Sequence, residues 1–73
     1  MTSRIILDPT IQHGQPVVRG TRVPVTRILG GLAGGMTTQQ LVEEYDLQPK
    51  DIEAALDYAV DLMEHEKVFA LNK

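Results

Sequence analysis

Residues 36–52, Met-Thr-Thr-Gln-Gln-Leu-Val-Glu-Glu-Tyr-Asp-Leu-Gln-Pro-Lys-Asp-Ile, carry two helix starts in succession, and the fold turns on how they are read. Thr37 and Gln40 have the spacing of a capping box, and Met36 before the cap is placed to staple onto Leu41. Leu41, Val42 and Tyr45 then form an apolar stripe. The device repeats downstream: Leu47 and Ile52 are spaced as a second staple, Gln48 is a weak cap, and Pro49 takes the first helical position. Ile52, Ala55, Leu56, Ala59, Leu62 and Met63 continue one face for about four turns, which predicts a last helix over 49–67 with a frayed tail.

Upstream, Ile28, Leu29, Leu32 and Ala33 fall on one face of an earlier helix, which Thr26 can cap and Gly34-Gly35 can stop. Gly30 and Gly31 inside it cost about 1 kcal/mol each relative to alanine, so either the helix is short or another backbone packs close to it. Before Thr26 the pattern changes to short β-branched runs broken by turn formers: Ile5-Ile6-Leu7, Val17-Val18 and Val23-Pro24-Val25. These read as strands, with Arg19-Gly20-Thr21-Arg22 as a hairpin connection. A two-stranded hairpin is marginal in water, so this arm needs a surface, and the arm of a second subunit is one candidate. The two helices joined at Asp46-Leu47-Gln48 have the layout of a helix-turn-helix. The expected fold is therefore mainly α: a three-helix, homeodomain-like helix-turn-helix bundle with a short N-terminal β-arm. The arm spans 1–25, the helical part 26–68 and a tail 69–73, one domain in all.

A chain of 73 residues buries only about 60% of its unfolded surface, and with no cysteine it has neither disulfides nor a Cys-rich zinc site, which points to a dimer. No apolar run approaches the roughly 20 residues of a membrane span, and the N-terminus is too short for a signal peptide, so the expected location is the cytoplasm. The net charge of −3 hides a division: residues 1–27 hold every arginine and sum to +3, whereas residues 28–73 sum to −6.

Gly30-Gly31-Leu32-Ala33-Gly34-Gly35-Met36-Thr37 nearly spells a phosphate-binding loop, but Met36 stands where the lysine must be, and the stretch reads better as a helix ending in glycines. His13 and His65 have no second ligand at metal spacing, and the sole serine, Ser3, lies in a terminus, so neither a metal or other cofactor nor an enzyme activity is expected. Glu53, Asp57, Asp61 and Glu64 are spaced to line one outer stripe of the last helix, read as a solvated face or as a docking face for a basic partner. Arg19 and Arg22 flank a glycine in a turn, from which they can clasp phosphates or enter a groove; alternatively they pair with acids of the body.

Asp8-Pro9, then Gly14-x-Pro16-Val17-Val18-x-Gly20-Thr21-Arg22-Val23-Pro24-Val25, Leu32-x-x-Gly35-Met36-Thr37, and Asp51-Ile52-x-x-Ala55-Leu56-x-Tyr58-Ala59 resemble the short bacterial proteins of domain-of-unknown-function family 433. The likeness runs over residues 4–62, and its most specific part is the Gly-Thr-Arg-Val-Pro-Val string at 20–25. Members resemble VapB-type antitoxins. That implies a homeodomain-like fold whose β-arm assembles dimers, and a protein that neutralises a PIN-like nuclease toxin and represses its own promoter. One departure is Gln48, where relatives cap the last helix with Ser or Thr.

On this reading Arg19, Thr21, Arg22 and Arg27, with Thr37, Thr38, Gln39, Gln48 and Lys50 at the helix starts, contact operator DNA in a symmetric dimer. Glu53, Asp57, Asp61 and Glu64 engage the toxin. The competing expectation is a non-catalytic interaction or homodimerisation module that does not touch nucleic acid.

Overall fold

The computed structural model describes residues 4–71, with side chains as far as His65. Two short strands, β1 (Ile5–Leu7) and β2 (Pro16–Val18), are followed by three helices, α1 (Val25–Ala33), α2 (Thr38–Tyr45) and α3 (Pro49–Leu71). The protein is thus mainly helical, with one small antiparallel sheet.

The sheet pairs Ile5 with Val18, Ile6 with Val17 and Leu7 with Pro16, so Pro16, which has no N–H to donate, opens its strand. Between the strands, the Asp8 carboxylate accepts hydrogen bonds from the Thr10 hydroxyl and N–H, which hold its pKa below the ordinary Asp value. Gln12, His13 and Gly14 then turn the chain with φ of 50°, 57° and 82°.

The predicted third strand at Val23–Val25 is not formed. Pro24 makes a single bridge to Val17 and then serves as the N-cap of α1, so Val25 is already helical. Thr26, the expected cap, is an exposed residue inside the first turn, and α1 has no side-chain cap. The body of the chain covers β2 of the arm, whereas Leu7 of β1 stays 64% exposed. Val17 and Val18 are 0% and 1% exposed, and Val18 joins Val25, Ile28, Leu41, Leu47, Ile52 and Ala55 in one core.

The stop of α1 and the cap of α2 are built as the sequence predicts. At the end of α1, Gly35 (φ 101°) lets its own N–H donate to Leu32 and that of Met36 to Gly31, the paired bonds of a Schellman stop. The stretch resembling a phosphate-binding loop is therefore the end of a helix. Thr37 and Gln40 make both bonds of the capping box. Gly31 is explained by α2: a Cβ there would lie 2.8 Å from Leu41 Cδ2 and 3.2 Å from Met36 Sδ. What comes close to α1 is thus a pair of side chains, not a backbone. α2 stops at Asp46 in the left-handed region (φ 55°), with Leu47 N–H donating to Val42.

α3 runs four residues beyond the expected end at 67 and leaves the core as it goes. Ile52 and Ala55 are buried, whereas Leu56, Leu62 and Met63 are 45%, 51% and 61% exposed, so the apolar face predicted to be continuous core is core only in its first half. The radius of gyration is 13.0 Å, against about 11 Å for a compact chain of this length.

Candidate functional site

The residues expected to meet DNA fall into separate groups. Arg22 and Arg27 line one shallow depression with Gln12, Pro24 and Tyr45, and the Arg27 guanidinium lies 5.9 Å from the centroid of the Tyr45 ring. Both arginines are exposed, as is Arg19 in the turn before them. Thr21 is different: its hydroxyl donates to the Val18 carbonyl at 2.8 Å and accepts from Val23 N–H at 3.0 Å, so it shapes the turn that carries Arg19 and Arg22.

At the start of α2, Thr37 accepts from Gln40 N–H at 3.0 Å and is committed to the cap, while Thr38 and Gln39 are exposed and Gln39 donates to Glu43. At the start of α3, Gln48 and Lys50 are exposed, and Lys50 shares an open groove with Arg4, Glu53 and Asp57. The acidic stripe therefore begins beside Lys50, the one lysine expected to contact operator DNA. Glu53, Asp57 and Glu64 are exposed and Asp61 is half-buried.

Sequence reasoning missed the group that holds the start of α3 in place. Asp51 is 6% exposed; its Oδ1 accepts from Arg4 at 2.8 Å and its Oδ2 from Gln48 N–H at 2.8 Å. The weak cap at Gln48 is thereby replaced by a carboxylate reaching back from the third helical position, which also favours the helix dipole. The same carboxylate ties β1's approach to the turn before α3. Among the described residues, no three His, Cys, Asp or Glu are grouped as metal ligands, and no helix is long and apolar enough to cross a membrane.

The sheet, the Gly20–Val25 turn and the helix starts that place these groups coincide with a family model described as a protein of unknown function, DUF433, which matches residues 5–59. The chain belongs to the DUF433 family. A relative from Mycobacterium tuberculosis named "Putative antitoxin VapB45" is 38% identical over 55 residues, which cover 75% of this chain and 23% of the relative. The crystal structure of Rv2018 from the same organism matches with a TM-score of 0.65 at 38% identity, over 71% of this chain and 24% of that one. This DUF433 chain thus spans about a quarter of the length of these two relatives.

Proposed function

We propose that this DUF433 protein is the antitoxin of a type II toxin–antitoxin pair, a regulator that performs no chemistry of its own. The observation that carries the reading is its 38% identity, over 55 residues, to a relative named "Putative antitoxin VapB45". The charge division supports it, because Arg19, Arg22 and Arg27 are exposed on the turn and α1 whereas Glu53, Asp57 and Glu64 are exposed along α3.

In this reading α2, the Asp46–Gln48 turn and α3 act as a homeodomain-like helix-turn-helix in a cytoplasmic homodimer. Arg19, Arg22 and Arg27 contact phosphates or a groove, with Lys50, Gln48, Thr38 and Gln39 near the duplex. Thr21 and Thr37 contribute by holding the turn and the cap. The acidic stripe engages a PIN-like nuclease toxin, and inhibition is occlusion of its RNA-cleaving site.

Affinity purification of the tagged chain from its native host, with mass spectrometry after a nuclease-treated wash, tests the toxin half. One small nuclease at near-equal stoichiometry is expected; recovery of the chain alone contradicts it. The second reading, a homodimerisation module without nucleic-acid contact, is favoured by the net charge of −3.

A further inference from the structure

The distal half of α3 carries an apolar surface that the described part of the chain leaves uncovered. At about 100° per residue, Leu62, Ala59, Met63, Leu56 and Val60 follow one another around an arc of about 160°. Leu56, Val60, Leu62 and Met63 are 45–61% exposed, and Leu7 of β1 is 64% exposed. Two open grooves flank the arc. One, of about 620 Å³, lies between Ile5, Leu7, Tyr58 and Leu62, and the other, of about 500 Å³, runs along Leu56, Val60 and Met63. Beyond Val60 the arc is bordered along its whole length by Glu53, Asp57, Asp61 and Glu64.

From this juxtaposition we propose that the distal face of α3 docks an amphipathic helix of another protein, one whose apolar stripe is edged by lysine or arginine. The proposal refines the toxin-binding half of the reading above and takes the role of the partner from it. Apolar anchors at positions i, i+4 and i+7, here Leu56, Val60 and Met63, are the spacing a partner helix reads.

Charge decides between occupants. If two copies of this chain packed these faces antiparallel, the arrangement that keeps their bodies apart, the two-fold axis would set acidic edge against acidic edge, carboxylates facing carboxylates. Like charges juxtaposed in this way act against association. A cationic edge on a different chain relieves the repulsion instead. The exposed apolar side chains supply the centre of an interface, and the acidic border supplies its polar rim.

The test uses the full chain and two synthetic 20-residue helical peptides that share a leucine stripe, one edged with lysine and one with glutamate, followed by fluorescence anisotropy. The lysine-edged peptide is expected to bind at least about tenfold more tightly. Val60→Lys should abolish that preference while leaving the thermal midpoint and the oligomeric state unchanged, and Asp57→Lys/Glu64→Lys should invert it toward the glutamate-edged peptide. Equal binding of the two peptides, no binding of either, or a Val60→Lys chain that turns from dimer to monomer in sedimentation overturns the proposal. Purification from the host without a nuclease would remove the toxin reading but leave the peptide result standing, so the two failures are separable.

Discussion

Asp46 and Asp51 sit five residues apart and do opposite things to stability. Asp46 ends α2 at φ 55°, where a Cβ is strained and where its charge opposes the negative end of the helix dipole. Asp46→Gly should therefore stabilise the protein by about 1 kcal/mol, which raises the melting temperature of a domain this size by about 4–8 °C. Asp51 is buried and accepts from both Arg4 and Gln48 N–H, so Asp51→Ala should cost about 1.5–3 kcal/mol in urea unfolding, by losing a cap and leaving Arg4 without this partner. In a double-mutant cycle, Arg4→Ala with Asp51→Ala should show a coupling of about 1 kcal/mol; simple additivity would remove the ion pair from the stability argument. Thr37 and Gln40 were legible because a cap is settled within four residues of chain. The Arg4–Asp51 contact was not, since nothing local joins residues 47 positions apart.

Of the three helices, α1 shows most clearly how packing overrides propensity. Gly30 and Gly31 are neighbours with the same intrinsic cost, yet a Cβ at Gly30 meets nothing and one at Gly31 runs into Leu41, which is 0% exposed. Gly30→Ala should stabilise by about 1 kcal/mol. Gly31→Ala should destabilise by about 1–2 kcal/mol net, because overpacking against Leu41 and Met36 outweighs the helical gain. Chemical denaturation of the two single variants gives both signs directly. The sequence pattern identified α1, α2 and α3 because an apolar stripe at helical spacing is visible whatever covers it. For the same reason it could not distinguish core from uncovered surface in α3: Ile52 and Leu62 share one face, but only the first lies over the body. Val23–Val25 was misread as a strand because β-branched residues suit either element, and Pro24 decides the matter by capping α1 and making only one bridge.

Taken together, the parts describe a small body from which one helix projects, with Arg19, Arg22 and Arg27 exposed on the body and Glu53, Asp57 and Glu64 exposed along the helix. The family was legible in the Gly20–Val25 string and the helix starts. The grouping of Arg22 and Arg27 around Tyr45 was not, because it depends on how α1 and α2 pack. If the arginine side meets phosphates, affinity for DNA must fall steeply with salt, by a slope set by the number of phosphates neutralised. The most direct test is a nuclease-protection footprint of the full chain on the DNA upstream of its own gene, at low and moderate salt, beside Arg22→Ala/Arg27→Ala. Two protected half-sites about one helical turn apart, weakened by salt and lost in the double variant, are the predicted result. No symmetric protection, or protection indifferent to both arginines, would contradict the DNA-binding antitoxin.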